Sequence, residues 1–410
     1  MSDLAASFIG WLDYSEHERR KMLDVIGVFA ERDTRDELGI GTVRDAFADI
    51  FFPGTSTLQR RARYFLFIPW MYLDLERRHI SSREIAAKAR REETALIDVL
   101  AKSTDHDGTI GIQARSSLKR LASNIYWQGL GVWGIRLFPG SQEQYQRLIE
   151  RYPGTTSNGT RDDDGERAEG AVRPNWHLGI PSAPGGFPTV ASFNLKRPEA
   201  EYLRERILSC LQGTLLAFLV DHGRIWQPVD FPWEHPQVGE FPVRIRDQLA
   251  HARNFSESIW GTALLYNLML AELGGHRETI ADYQERLRSW AALLEARKDA
   301  LTRWDQRGFW GIAHSGSGHI PITTKSFIDT WLGMALSPEA PRIGANQRAR
   351  QLIHDREVVL KRALARLDNF RARELWNGEA GTAQLSYRWP IAQTMVLDIL
   401  RAVEREEPDA

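Results

Sequence analysis

Cysteine is almost missing from this chain: Cys210 stands alone in 410 residues. An internal disulfide and any multi-cysteine zinc site are therefore excluded, and a reducing cytoplasm is the expected compartment. An excess of either charge is missing too, since 53 basic residues face 54 acidic ones, for a formal net charge of −1. That balance argues against coating nucleic acid or an anionic membrane by bulk electrostatics, so any such binding needs a local patch. Long apolar runs are absent. The longest, Ile259 to Leu273, contains Asn267 and Glu272, is too short to span a bilayer, and reads as a buried core helix; no membrane partner is expected. The opening MSDLAASFIGWLDYSEHERR lacks the basic and apolar regions of a secretory leader.

Signatures of familiar chemistry are also lacking. No serine stands in a G-x-S-x-G elbow, Lys325-Ser326 lacks the glycines that cradle phosphate, and Gly39-Ile-Gly41 lacks the third glycine of a dinucleotide fingerprint. His314 and His319, with Asp305 and Asp329 nearby in sequence, supply the residue types of a metal site without a recognised ligand spacing. His319, Lys325 and Asp329 are the types found in phospholipase-D-like nucleases, but that chemistry needs His and Lys close enough on one strand to reach one phosphate. Asp221-His222 and His354-Asp355 are adjacent pairs, which diverge on a helix or a strand. Cys210 lies among apolar neighbours and is expected to be a buried thiol. No catalytic residue, metal ligand or cofactor is nominated.

What the chain does have is helix. Its length and 42% hydrophobic content suit two or three domains with a substantial core. Ser15 and Glu18 form a capping box that predicts a helix towards Glu31, with Met22, Ile26 and Phe29 on its inner face. Thr42 is placed to cap a helix over Val43 to Phe52, and Ser56 or Thr57 the next one, whose first turns would carry Arg60, Arg61 and Arg63. Cations there oppose the helix dipole and invite an external anion, although pairing with Asp45 and Asp49 is the weightier explanation. Ser81 or Ser82 starts a charge-dense helix. In the segment around Gly129, Gly131 and Gly134 a short helix turns into a strand, an order that also fits a winged-helix fragment.

From Pro153 to Pro174 large apolar residues vanish, which reads as a linker or a long surface insertion. Beyond it, helical patterns run over Arg197 to Leu211 and Leu215 to Val220. Ile280, Leu287, Leu294 and Leu301 then recur every seven residues, with Tyr283, Trp290 and Trp304 between them and Arg297 interrupting the seam. The fold class expected is mostly α: a multi-helix bundle in two regions joined by a polar linker, with a few short strands. The regions are 1–152, a linker at 153–175, and 176–410.

The words IGWLDYSEHERRKMLDVI, DTRDELGIGTVRDAF, FFPGTSTLQRRARYFLFIPW and LSYRWPIAQTMVLDIL resemble a family of uncharacterised prokaryotic proteins known as a domain of unknown function, over almost the whole chain. The resemblance implies a setting beside helicase and phospholipase-D-like genes in phage-defence neighbourhoods. It carries over no catalytic residue.

Guanidinium groups give the sharpest physical signal. Arg348 to Leu375 contains no Gly or Pro, and on one helix Arg348, Arg362, Arg366 and Arg373 would form a ridge opposite Ile353, Leu360, Leu364 and Leu367. Such a ridge can meet phosphate, or be neutralised by Asp355 and an acidic neighbour. Tyr387, Arg388 and Trp389 precede Pro390 at a helix start, where they can bind a nucleotide or form a packed corner, the second having more weight. Trp226 and Trp233, in a proline-rich connection, are candidate anchors for a partner. The expected function is that of a non-enzymatic accessory or scaffold subunit that binds a partner protein and touches nucleic acid through arginines. The alternative is a hydrolase or nuclease with a site near His314 and His319.

Overall fold

The computed structural model describes residues 36–149, 174–316 and 319–405. Helices succeed one another along them: Gly41–Phe51, Tyr64–Arg77, Ile85–Lys102, Ala122–Val132 and Gln142–Leu148, then Arg197–Cys210, Leu215–His222 and Val243–Gly274. Arg277–Ala296, Lys298–Thr302, Gln306–Gly316, Ile322–Ala335, Gln347–Lys361, Phe370–Glu374 and Trp389–Glu404 complete the order. The protein is mostly α. Where short strands were expected, extended pairing among the described residues comes down to an isolated antiparallel bridge between Arg136 and Trp176. Gly134, at φ +65°, turns the chain out of the Ala122–Val132 helix, and Leu137 N–H then donates to the Asn175 carbonyl.

Contacts divide the chain into two units, each gathered from separate stretches. One comprises Met1–Thr42, Asn254–Trp304 and His319–Leu385; the other comprises Val43–Arg253, Asp305–Gly318 and Ser386–Ala410. The helix expected from Ser15 to Glu31 and most of 153–175 lie outside the described residues. The stretches flanking 153–175 belong to the same unit, so the contacts do not divide at the compositional break.

In the first unit the heptad positions Leu287, Leu294 and Leu301, with Tyr283, Trp290 and Trp304, are buried. Arg297 ends the Arg277–Ala296 helix, and its guanidinium reaches back to Glu257 at 2.9 Å and Asn254 at 2.8 Å. Trp290 and Trp331 anchor their indole N–H groups on the carbonyls of Glu257 and Ser258. A buried charged network closes this core. Glu357 accepts from the Tyr266 hydroxyl at 2.5 Å and from the backbone N–H groups of Arg366 and Leu367, Lys361 lies between Glu357 and Glu37, and Arg366 donates to Glu37 at 2.7 Å.

The second unit is built on aromatic rings. Phe65 stacks on Trp133 at 3.8 Å, Phe47 packs against Phe51, Phe309 and Tyr387, and Trp226 stacks on Trp389. Trp226 and Trp233 are therefore core residues rather than surface anchors, because the proline-rich connection folds back over these rings. The Tyr64–Arg77 helix starts later than Ser56 or Thr57. Gln59 ties the preceding turn by accepting from Ser56 N–H and donating to the Gly54 carbonyl, and Tyr126 receives the Arg60 N–H. Arg60, Arg61 and Arg63 accordingly precede the helix. Nor does Thr42 act as the cap of the helix before it: Asp36 accepts from the N–H groups of Ile40 and Gly41.

Candidate anion-binding cleft

Four chain segments of the second unit enclose a cleft of about 420 Å³. The turn before the Tyr64–Arg77 helix gives Arg60 and Arg61, the Asp-rich loop gives Asp105, Asp107 and Gly108, and the stretch before the Arg197–Cys210 helix gives Phe193, Asn194 and Leu195. The last helix supplies Ile391, Thr394, Asp398, Arg401 and Ala402 from one face, with Arg405 just past its end.

Arg61 organises the floor. Its Nη1 and Nη2 donate to the two oxygens of Asp105 at 2.8 and 3.0 Å, its Nε donates to Asp398 at 2.9 Å, and its guanidinium carbon lies 5.0 Å from the Phe193 ring centre. Asp398 also accepts the Ala62 N–H. Burial opposes the charge on Arg61, but the Asp105 and Asp398 carboxylates outweigh it and hold the guanidinium protonated more firmly than in water. Burial pushes the Asp398 carboxyl up from its ordinary range, against the pull of Arg61. This triad is spent on holding the walls together.

The rim is available. Arg60 is exposed and directs Nη1 to the carbonyls of Thr57 and Gln59, not to a carboxylate. Arg401 and Arg405 are exposed and have no partner among the described residues. Asp107 is the only carboxylate of the lining in the same condition. With the triad contributing one positive and two negative charges, the rim's three cations leave the lining one charge positive.

The sequence-predicted arginines are divided between the units. Of those in the second, Arg60 and Arg61 enter the cleft. Arg63 is buried on Glu199 at 2.7 Å and on the Ser192 carbonyl, and Arg388 is bound by Asp45, Asp49 and the Thr55 carbonyl. Asp45 and Asp49 thus neutralise an arginine, but Arg388 rather than the Arg60 to Arg63 group. Tyr387, Arg388 and Trp389 form the packed corner, with the Tyr387 hydroxyl on the Ala252 carbonyl and the Trp389 N–H on that of Val229.

In the first unit the single helix expected over 348–375 breaks. The Gln347–Lys361 helix ends at Arg362, which adopts φ 52°, and the ridge is dispersed. Arg366 is bound by Glu37, and Arg373 donates to the Arg366 and Leu367 carbonyls. Arg348 and Arg362 are exposed without partners among the described residues. Leu360 and Leu364, expected on a buried side, lie exposed beside the break.

His314 and His319 are both exposed, and the described residues include no group of three or more His, Cys, Asp or Glu that could hold a metal. His354 does not diverge from its neighbour: its ring nitrogens meet Asp355 at 3.2 Å and Asp368 at 2.7 Å, so chiefly the Asp368 hydrogen bond raises its pKa. Cys210 is exposed rather than buried, because the inner face of its helix is made by Leu203 and Ile207; Arg206 donates to its sulfur at 3.0 Å.

Sequence reasoning missed Arg401 and Arg405. Their signal was the spacing of Thr394, Asp398 and Arg401 on one face of the last helix, opposite its apolar stripe, with Arg405 following at the same interval just past its end.

No helix of the described residues is long and apolar enough to cross a membrane. Comparison with curated proteins and with solved structures gives no match. The resemblance read from the sequence is met by a family model: the family of unknown function DUF6361 matches residues 6–402 of the 410, and the chain belongs to it.

Proposed function

We propose that the protein is a non-enzymatic accessory subunit whose arginine-rimmed cleft holds the phosphate of a nucleic acid while the helical body docks a partner protein. The observation that supports this is the pairing state of the cleft. Arg61 is consumed by two carboxylates, whereas Arg60, Arg401 and Arg405 surround the same concavity with no carboxylate on any of them among the described residues. Guanidinium groups kept off internal acids suit bidentate contact with phosphate oxygens. The setting we propose, on what the resemblance implies, is a phage-defence assembly in the cytoplasm.

The test is fluorescence anisotropy with a labelled single-stranded oligonucleotide at low salt, comparing the native chain with Arg60→Glu/Arg401→Glu. Reversing two of three phosphate contacts should weaken binding by at least about tenfold. Arg348→Glu/Arg362→Glu, in the other unit, serves as comparison. Unchanged binding in the first variant, or a loss confined to the second, would overturn the cleft as the contact. Affinity purification from the native host addresses the partner: recovery of the protein alone under gentle salt would count against a scaffold.

A further inference from the structure

Resting on that reading, we propose that the cleft receives the phosphorylated end of a nucleic-acid strand and not a backbone running through it. Three features carry the inference. The first is size. The cleft has walls from four segments, and its volume lies near the lower end of the roughly 300–1,000 Å³ usual for sites that surround a small ligand.

The second is the concentration of charge. Arg60, Arg401 and Arg405 stand around one concavity, with Arg401 in the last turn of the last helix and Arg405 just past its end. A phosphodiester brings one negative charge, whereas a terminal phosphomonoester brings about −1.5 to −2 at neutral pH and a third terminal oxygen. Three guanidinium groups match the monoester better.

The third is the placement of like charge. Asp105, Asp107 and Asp398 line the same cleft; the Asp107 carbonyl accepts from Arg61, and its carboxylate has no partner among the described residues. A strand passing through would bring further phosphates towards these carboxylates, while a strand that ends there would not. Asp107 and the exposed Asn194 are instead placed to bond the sugar hydroxyl or base amino groups of one terminal nucleotide.

The experiment is competition anisotropy with one single-stranded sequence in four forms: 5′-phosphorylated, 3′-phosphorylated, hydroxyl at both ends, and circular. At least one phosphorylated end should bind about tenfold or more tightly than the hydroxyl-ended strand, and the circle should bind no better than the latter. Arg401→Glu, and separately Arg405→Glu, both on exposed positions, should erase that preference; circular dichroism confirms that each folds. Equal affinity for all four forms would overturn the terminal-phosphate inference while leaving the nucleic-acid reading in place. No binding of any form would overturn both.

Discussion

At the scale of single residues, the contacts that matter are ion pairs and buried carboxyls whose partners lie far away in sequence. Arg61 draws Asp105 from 44 residues away and Asp398 from 337. Asp398 is almost fully buried, so Asp398→Ala would strand part of a buried guanidinium, and the loss should be on the order of 3 kcal/mol, read as a lower urea midpoint. A change within error would mean that Asp105 alone satisfies Arg61. Glu93 is a fully buried carboxyl whose direct partner is Ser123, with Arg90 opposing the effect of burial only through space. It accepts from the Ser123 N–H at 2.8 Å and from its hydroxyl at 2.6 Å, and burial pushes it up to about 7 from an ordinary 4.5. Because the folded value lies above the unfolded one, its stabilising contribution is whole below 4.5 and is lost as pH rises through about 7. Glu93→Gln should therefore flatten the fall in stability between about pH 5 and 8, a difference on the order of 3 kcal/mol. Parallel profiles for the two proteins would refute the assignment.

At the scale of elements, some local signals were legible and the ones that depend on tertiary contact were not; the caps expected at Thr42 and at Ser56 or Thr57 were not formed. Pro390 stands in the first turn of the Trp389–Glu404 helix, and Arg297 breaks the heptad seam as its position suggested. These outcomes are decided within a turn or two of the residue concerned. The Gln347–Lys361 helix shows the opposite case. Nothing in the sequence before Arg362 stops a helix, since Val358, Val359 and Leu360 precede it; the stop is supplied by Glu357, which takes the N–H groups of Arg366 and Leu367 for itself. Arg362 is left at φ 52° and ψ −124°, a region that suits glycine. Relief of about 1–3 kcal/mol of strain, set against a glycine entropy cost of about 0.5–1, predicts that Arg362→Gly raises stability by up to about 2.5 kcal/mol. A lower urea midpoint would show that the bend is imposed without strain. The cleft was half legible for the same reason: Arg60 and Arg61 stood in a basic cluster, but only the fold brings them to Arg401 and Arg405.

At the scale of the whole molecule, a net charge of −1 means that any anion binding must be local. If three guanidinium groups carry the contact, the logarithm of the binding constant should fall with that of salt concentration with a slope of about −2 for single strands. A slope several times steeper would point to a broad basic surface that the charge balance does not provide. The division of the chain was the part least visible beforehand. Composition marks a break at Pro153, but the order in which segments join a unit is a property of tertiary packing, and both units are discontinuous. One consequence concerns synthesis. The unit that opens at Val43 takes its closing helix from Trp389–Glu404, which supplies Asp398 to the triad and Trp389 to the ring stack. While a ribosome is still translating the middle of the message, the aromatic surfaces made hundreds of codons earlier have nothing to close over them. Closure of this unit therefore waits for those late residues to emerge.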